Sequence, residues 1–80
     1  YDKALEYFNC ALRNAITQYG EQHKDVAMSY NNIGLVYHSQ GNYNEALNYH
    51  QKALEIRLKF YGEEHPDVAT SYNNIGSVYW

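Results

Sequence analysis

The sequence predicts an all-α fold, an α-solenoid of four helices arranged as antiparallel pairs. Residues 1–38 and residues 43–80 align without a gap, and 21 of these 38 aligned positions are identical. In both copies apolar residues recur at spacings of three and four, which is the period of an α-helix. A fixed period of 42 residues indicates stacked units that each bury their apolar face against a neighbouring unit.

We expect helices over residues 1–19, 24–40, 43–61 and 66–80, within a single domain that spans residues 1–80. The first and third helices, called the B helices, carry equivalent apolar stripes: Ala4, Leu5, Phe8, Ala11, Leu12, Ile16 and Tyr19, and Ala46, Leu47, His50, Ala53, Leu54, Leu58 and Tyr61. Gly20 and Gly62 follow directly, where a helix C-terminus commonly takes a left-handed residue.

The second and fourth helices, called the A helices, carry the stripes Val26, Ala27, Tyr30, Ile33, Gly34 and Tyr37, and Val68, Ala69, Tyr72, Ile75, Gly76 and Tyr79. Pro66 suits a first helical turn, and Asp25 and Asp67 favour the positive end of the helix dipole. The polar residues 39–42 include a glycine, which suits a tight connection between antiparallel helices. The chain therefore runs B-A-B-A.

Composition argues against several classes of partner. The formal charge is −3 with only six Lys and Arg residues, so we expect binding to neither nucleic acid nor a membrane surface. No apolar run approaches the roughly 18–20 residues of a membrane span, and no signal peptide is visible. Cys10 is the only cysteine, which excludes a disulfide framework within the chain and favours a reducing, cytoplasmic location.

Three spaced motifs point to a family. The pattern Tyr30-x-x-Ile33-Gly34-x-x-Tyr37, followed by Gly41-x-Tyr43-x-x-Ala46 and then Ala53-Leu54, resembles the tetratricopeptide repeat. The resemblance covers essentially the whole chain. It implies a fragment of a right-handed superhelix whose A helices line the concave face, and it implies a protein–protein interaction scaffold that binds a peptide or partner helix.

The chain departs from the usual pattern in its length. The period is 42 residues rather than about 34. Ile16 and Leu58 replace the proline that normally ends helix B, so each B helix can run further. The extra residues include Tyr-Gly-Glu-x-His-x-Asp-Val-Ala, at residues 19–27 and 61–69, and this variant resembles the long repeats of kinesin light chains and nephrocystin-like proteins. His50 stands where an aromatic residue is usual.

The resemblance also assigns the binding groove and the packing positions. Carried over, the groove residues are Met28, Asn31, Asn32, Leu35, His38, Thr70, Asn73, Asn74 and Ser77. Paired amides suit an extended peptide backbone, although one asparagine of each pair could instead bond only a neighbouring helix. The packing positions are Gly34 and Gly76, which permit close helix approach, the small residues Ala46 and Ala53, and the large wedges Tyr30, Tyr37, Tyr72 and Tyr79.

Other site chemistries are disfavoured. A carboxylate clamp needs several A-helix cations, and Lys24 is the only one. His23 and His65 are repeat equivalents, which stacking separates by on the order of 20 Å, so we expect them to cap the A helices rather than bind a metal. Cys10 aligns with Lys52, which argues against a nucleophile. We therefore expect no enzyme activity, no catalytic residue, no metal and no cofactor.

A structural role is the rival interpretation. Two repeats fall short of the three or more that usually stabilise an array. The last A helix leaves the apolar face of Tyr72, Ile75 and Tyr79 uncovered. We expect either a piece of a longer array or copies that stack end to end or swap helices into oligomers.

Overall fold

Residues 2–79 are described by a computed structural model and form four α-helices. They are α1 (Asp2–Tyr19), α2 (Lys24–Ser39), α3 (Tyr43–Tyr61) and α4 (Pro66–Tyr79). The predicted all-α helical-repeat fold is confirmed, and no strand occurs in this part of the chain. The predicted helix residues Tyr1 and Trp80 lie outside the described residues. Helix α2 ends one residue before the predicted Gln40, which is its C-cap.

Glycines end both B helices, as the sequence predicts. Gly20 and Gly62 each have a φ of +87°, a conformation that residues with a side chain rarely adopt. The amide of Gly20 donates to the carbonyl of Ile16 and that of Gly62 to the carbonyl of Leu58, both at 2.9 Å. The chain thus leaves helical geometry at the same repeat position twice.

Histidines cap both A helices, which confirms that expectation. The Nδ1 atom of His23 accepts a hydrogen bond from the amide of Asp25 at 3.1 Å, and His65 accepts from Asp67 at the same distance. Each imidazole also stacks on the last tyrosine of the preceding helix, with ring centroids 4.1 Å apart for Tyr19–His23 and 3.6 Å apart for Tyr61–His65. The loops of the two repeats are therefore built alike.

The core lies where α1 and α3 pack on α2. Its buried residues are Ala15, Val26, Ala27, Ala53 and Ile56, and Leu12, Ile16 and Tyr30 pack against them. Six residues of α2 and five of α3 are buried, against one of α1 and two of α4. Helices α2 and α3 thus form the well-packed centre, with α1 and α4 on the outside.

Identical positions of the two A helices differ in burial because α2 packs between α1 and α3, whereas α4 packs mainly on α3. Gly34 is buried and Tyr37 is half-buried, whereas their equivalents Gly76 and Tyr79 are exposed. Tyr72 is 53% exposed although Tyr30 is partly buried. The described residues measure 29 × 27 × 16 Å, a slab about as thin as two packed helices.

Candidate functional site

The predicted groove residues of α2 divide into exposed and buried members. Met28 and Leu35 are 48% and 43% exposed, and they lie seven residues apart on one face of the helix. Asn32 and His38 are partly exposed. Asn31 is only 6% exposed and therefore contributes almost nothing to the surface.

On α4 the predicted residues are mostly exposed. Thr70, Asn73 and Ser77 are exposed, and Asn74 is partly buried. The hydroxyl of Thr70 donates to the carbonyl of Pro66 at 3.1 Å, and that of Ser77 donates to the carbonyl of Asn73 at 3.0 Å. Because both hydroxyl protons are used within the helix, the Asn73 amide is the better candidate for donating a hydrogen bond to a ligand.

Asn31 and Asn74 bond each other across the two repeats. The Nδ2 atom of Asn74 donates to the Oδ1 atom of Asn31. This is the alternative that the sequence left open, in which one asparagine of each pair bonds a neighbouring helix. The bond ties α4 to α2, and it leaves Asn32 and Asn73 as the more accessible members of the two pairs.

Arg57 is a buried cation that the sequence interpretation missed. Its side chain lies behind the A helices at 2% exposure. One guanidinium nitrogen donates to the carbonyl of Asp67 at 3.1 Å and to the hydroxyl of Ser71 at 2.9 Å, and the other lies 3.9 Å from the sulfur of Met28. No carboxylate forms an ion pair with Arg57 among the residues that the structure describes. Burial lowers the pKa of the guanidinium from its usual value.

Helical spacing could have revealed Arg57. It follows Ala46, His50 and Ala53 at intervals of four, three and four, so it stands on the buried stripe of α3. Its repeat equivalent, Ala15, is buried and apolar. A charged residue on such a stripe must find polar partners, and here these partners come from the following A helix.

Gly34 serves the close helix approach that the sequence predicts, whereas Gly76 does not. A Cβ atom built on Gly34 would lie 2.8 Å from the Cε1 atom of His50, but one built on Gly76 would have nothing within 4 Å. His50 is 1% exposed, and its Nδ1 atom has no hydrogen-bond partner. Burial lowers the pKa of His50, and the nearby His38 and Arg57 lower it further.

The remaining predicted packing residues are covered in α2 and α3 but exposed in α4. Ala46 and Ala53 are fully buried in α3. The ring of Tyr49 stacks on Tyr37 with centroids 5.6 Å apart and lies 5.9 Å from Tyr30. Tyr72 and Tyr79 are 53% and 71% exposed, so these two predicted wedges have little to pack against.

The described residues form neither a metal-type cluster nor an enclosed pocket. No three His, Cys, Asp or Glu side chains within residues 2–79 lie together as metal ligands would. The same stretch forms no enclosed pocket, since two helix pairs are too few to curve around a ligand. No helix in the described part of the chain is long and apolar enough to cross a membrane.

Comparison with known proteins agrees with this geometry. The family model described as Tetratricopeptide repeat matches the chain twice, over residues 1–59 and over residues 25–80. No curated protein matches the chain. Tetratricopeptide repeats generally mediate protein–protein interactions and are typically non-catalytic scaffolds. With the repeated helix pairs, the chain-wide match shows that this protein belongs to the tetratricopeptide repeat family.

Proposed function

We propose that this chain binds a peptide or a partner helix on the exposed face of its A helices. This A-helix surface consists of Met28, Asn32, Leu35, His38, Thr70, Asn73 and Ser77. The observation that carries the proposal is the exposure of two large apolar side chains, Met28 and Leu35, on one face of α2 and next to amide groups. Apolar anchors beside a few hydrogen-bonding groups are typical of peptide-binding surfaces.

The charges of the A helices favour a largely neutral ligand segment. Helices α2 and α4 carry a single lysine, Lys24 at the start of α2, and no arginine. Arg57 lies beneath Met28, where its two terminal guanidinium nitrogens already have partners. A clamp for a terminal carboxylate is therefore disfavoured. We expect apolar side chains of the bound peptide to contact Met28 and Leu35, and the peptide backbone to form hydrogen bonds with Asn32 and Asn73.

A peptide pool tests this surface. Peptides selected from a diverse pool by the wild-type chain should bind the double variant Leu35→Ala/Asn73→Ala at least about tenfold more weakly, the equivalent of roughly 1.4 kcal/mol. Asn48→Ala, which removes an exposed amide from α3, is the matched control and should leave the dissociation constant unchanged. Equal affinity of the double variant and the wild type would contradict the proposed surface.

We also propose that the chain is a long-repeat variant like those of kinesin light chains and nephrocystin-like proteins. The 42-residue period and the shared Tyr-Gly-Glu-x-His-x-Asp loop support this. Both loops use a glycine with φ of +87° and a histidine that stacks on tyrosine and caps the next helix. Further 42-residue repeats in the surrounding reading frame would support the assignment, and repeats of about 34 residues would oppose it.

We propose a cytoplasmic location because Cys10 is an exposed cysteine with a free thiol. Its thiol is exposed and has no disulfide partner. An exposed free thiol persists most readily in a reducing compartment. Fractionation of cells that express the tagged chain tests this, and recovery in an oxidising compartment would contradict it.

Self-association through the outer helices is a second candidate function. The observation in its favour is the exposure of Tyr72 and Tyr79 on α4, at positions whose equivalents on α2 are covered by α3. An exposed aromatic face is a common site of protein association. A mass that rises with concentration in sedimentation would support the candidate, and a constant monomer mass would refute it.

A further inference from the structure

We propose that the loop edge of the molecule, where α1 joins α2 and α3 joins α4, binds a cationic peptide segment whose arginine side chains stack on exposed aromatic rings. The surface in question is an aromatic row that consists of Tyr19, His23, Phe60, Tyr61 and His65. It shares no residue with the A-helix surface, so this second binding surface goes beyond the function proposed above.

The rings of the aromatic row contact one another without interruption across both loops. Tyr19 stacks on His23 with ring centroids 4.1 Å apart, and the ring of His23 lies 5.4 Å from that of Phe60. Phe60 in turn lies 5.0 Å from Tyr61, which stacks on His65 at 3.6 Å. The contact between His23 and Phe60 therefore joins the loops of the two repeats into one aromatic surface.

Much of the aromatic row faces solvent. Tyr19 is 48% exposed and Phe60 is 46% exposed, and the other three rings are partly exposed. Phe60 and Tyr61 belong to α3, which packs between α2 and α4, so their exposure arises at the loop edge and not on the outward face of an outer helix. Contiguous exposed rings are a frequent site of association with a partner.

Phe60 is not needed to build a loop of this kind. Its repeat equivalent is the exposed Gln18, and the first loop still has the same glycine geometry, the same stacked tyrosine and histidine and the same histidine cap as the second. The bridging ring is therefore an addition of the second repeat, and it exposes a large apolar side chain that the loop structure alone does not explain.

The loop edge also carries the net charge of the molecule. Residues 19–25 and 59–67 hold five of the nine acidic residues of the chain but only two of its six basic residues, so their formal charge is −3. The remaining residues hold four of each sign. Because each loop joins the C-terminus of one helix to the N-terminus of the next, the helix dipoles at this edge oppose each other, and the side chains determine its sign.

Three glutamates supply carboxylates for a cationic ligand. Glu21 lies in the first loop, and Glu63 and Glu64 lie in the second. All three are exposed, and none forms an ion pair with another residue of the described part of the chain. Arg57 approaches this edge only from the interior, where it is 2% exposed and its terminal nitrogens donate to α4 and contact Met28.

Rings beside carboxylates fit arginine better than other ligand groups. A guanidinium is planar, stacks on an aromatic face and donates to a carboxylate at the same time, whereas an ammonium acts as a compact and strongly hydrated charge. Nucleic acid and anionic lipid carry the same sign of charge as this edge and are repelled by it. A metal ion lacks ligands, since no three His, Cys, Asp or Glu side chains lie together within residues 2–79.

Three short fluorescent peptides test the ligand class. Arginine, lysine or glutamate alternates with glycine in each of them, and fluorescence anisotropy at neutral pH and low ionic strength measures their affinity for the wild-type chain. The arginine peptide should bind at least about threefold more tightly than the lysine peptide, because only the guanidinium stacks on the rings. The glutamate peptide should not bind. Equal affinity for arginine and lysine, or no binding of arginine, overturns the proposal.

A ring variant tests the role of Phe60. Phe60→Gln introduces the residue found at the equivalent position 18 and should weaken binding of the arginine peptide at least about threefold, since it removes the central ring of the aromatic row. Tyr72→Gln is the matched control, because Tyr72 is similarly exposed but lies on α4 outside the row, and it should bind like the wild type. Wild-type affinity of Phe60→Gln contradicts the proposed surface.

A charge variant separates local recognition from general attraction. Glu63→Gln/Glu64→Gln should weaken binding at least about threefold and reduce its salt dependence. Glu6→Gln/Glu55→Gln changes the net charge equally at exposed positions of α1 and α3, and it should alter the dissociation constant less than about twofold. Equal losses in the two double variants would mean that only the overall charge attracts the peptide, which overturns the proposal.

Two further measurements complete the test. Circular dichroism checks that every variant is folded, and the surface charge variants remain decisive even if Phe60→Gln unfolds. The A-helix variant Leu35→Ala/Asn73→Ala should bind the arginine peptide like the wild type, so that failure of either binding surface leaves the other intact. Loss of arginine-peptide binding in this folded variant would place the peptide on the A helices and overturn the loop-edge site.

Discussion

Arg57 and His50 are two buried polar residues of α3, and they differ in whether their polar atoms have hydrogen-bond partners. Arg57 donates to a hydroxyl and a backbone carbonyl of the next repeat. His50 has an Nδ1 atom without a partner. Since an unsatisfied buried polar group destabilises a fold and a satisfied one holds elements together, we expect opposite results when the two residues are replaced.

Replacement of Arg57 should destabilise the chain. Arg57→Ala removes the hydrogen bonds that join α3 to α4 and leaves a cavity, so we expect the free energy of unfolding to fall by about 2–4 kcal/mol. The matched control is Arg13→Ala, since Arg13 is exposed, and its effect should stay within about 0.5 kcal/mol. Urea unfolding followed by circular dichroism measures both, and equal effects would contradict the structural role of Arg57.

Replacement of His50 should change how stability depends on pH. Burial holds the pKa of His50 below its unfolded value of 6.5, so the unfolded chain binds the additional proton as the pH falls. The contribution of the neutral ring to stability is complete above about pH 6.5 and is lost as the pH falls from there through the lowered folded pKa. The groups that favour the neutral ring are His38 and Arg57, which face it from α2 and α3.

His50→Phe introduces the residue found at the equivalent position 8 and should weaken this pH dependence. It should also raise the free energy of unfolding at pH 7.5 by about 1 kcal/mol, since it removes an unsatisfied polar atom. Urea unfolding at pH 7.5 and pH 5.5 measures both effects. An unchanged difference between the two pH values would contradict the assignment of the pH dependence to His50.

At the scale of the helices, identical residues at equivalent repeat positions differ in burial because different helices pack against them. Residues 29–34 and 71–76 read Ser-Tyr-Asn-Asn-Ile-Gly in both A helices. Helix α2 is packed between α1 and α3, whereas α4 packs mainly on α3 and only touches α2. The glycines of this shared segment provide a direct test of the difference.

Alanine at these two glycines should have effects of opposite sign. Gly34→Ala forces a methyl group against the buried ring of His50 and should destabilise the chain by about 1–3 kcal/mol. Gly76→Ala meets no neighbour and gains helix propensity, so it should stabilise by about 0.5–1 kcal/mol. Thermal unfolding of dilute protein compares the pair, and a shift in the same direction for both variants would contradict this packing.

At the scale of the whole molecule, stability should be distributed unevenly. The central helices α2 and α3 contain eleven of the fourteen described helix residues that are buried, six and five respectively, against one in α1 and two in α4. Helices with few buried contacts open locally at lower free energy than the core. The outer helices should therefore be the first to lose structure.

Amide hydrogen exchange checks this distribution. In dilute solution we expect the slowest exchange in α2 and α3 and exchange at least about tenfold faster in α1 and α4. At concentrations that permit the proposed self-association, α4 should gain protection. Uniform protection across all four helices at low concentration would contradict the central core.

Much of the fold follows from the sequence because helical period and repeat period are local properties. The spacing of Ala46, Ala53 and their equivalents predicts the helices, and Gly20 and Gly62 mark where the B helices end. The capping by His23 and His65 was likewise predictable from position. The site was less predictable, since a motif assigns Asn31 and Asn73 the same role but only one of them is buried.

By itself, the sequence determined that this protein is a stack of paired helices of the tetratricopeptide repeat family, since periodicity and family motifs can be read along the chain. Only the tertiary structure decided which copy of each repeated residue is covered. In the folded chain Asn74 bonds Asn31, His50 packs on Gly34 and Arg57 donates to Ser71, while Gly76 has no neighbouring side chain. The physical reason is that burial depends on the neighbouring helix, and two identical segments with different neighbours bury different side chains.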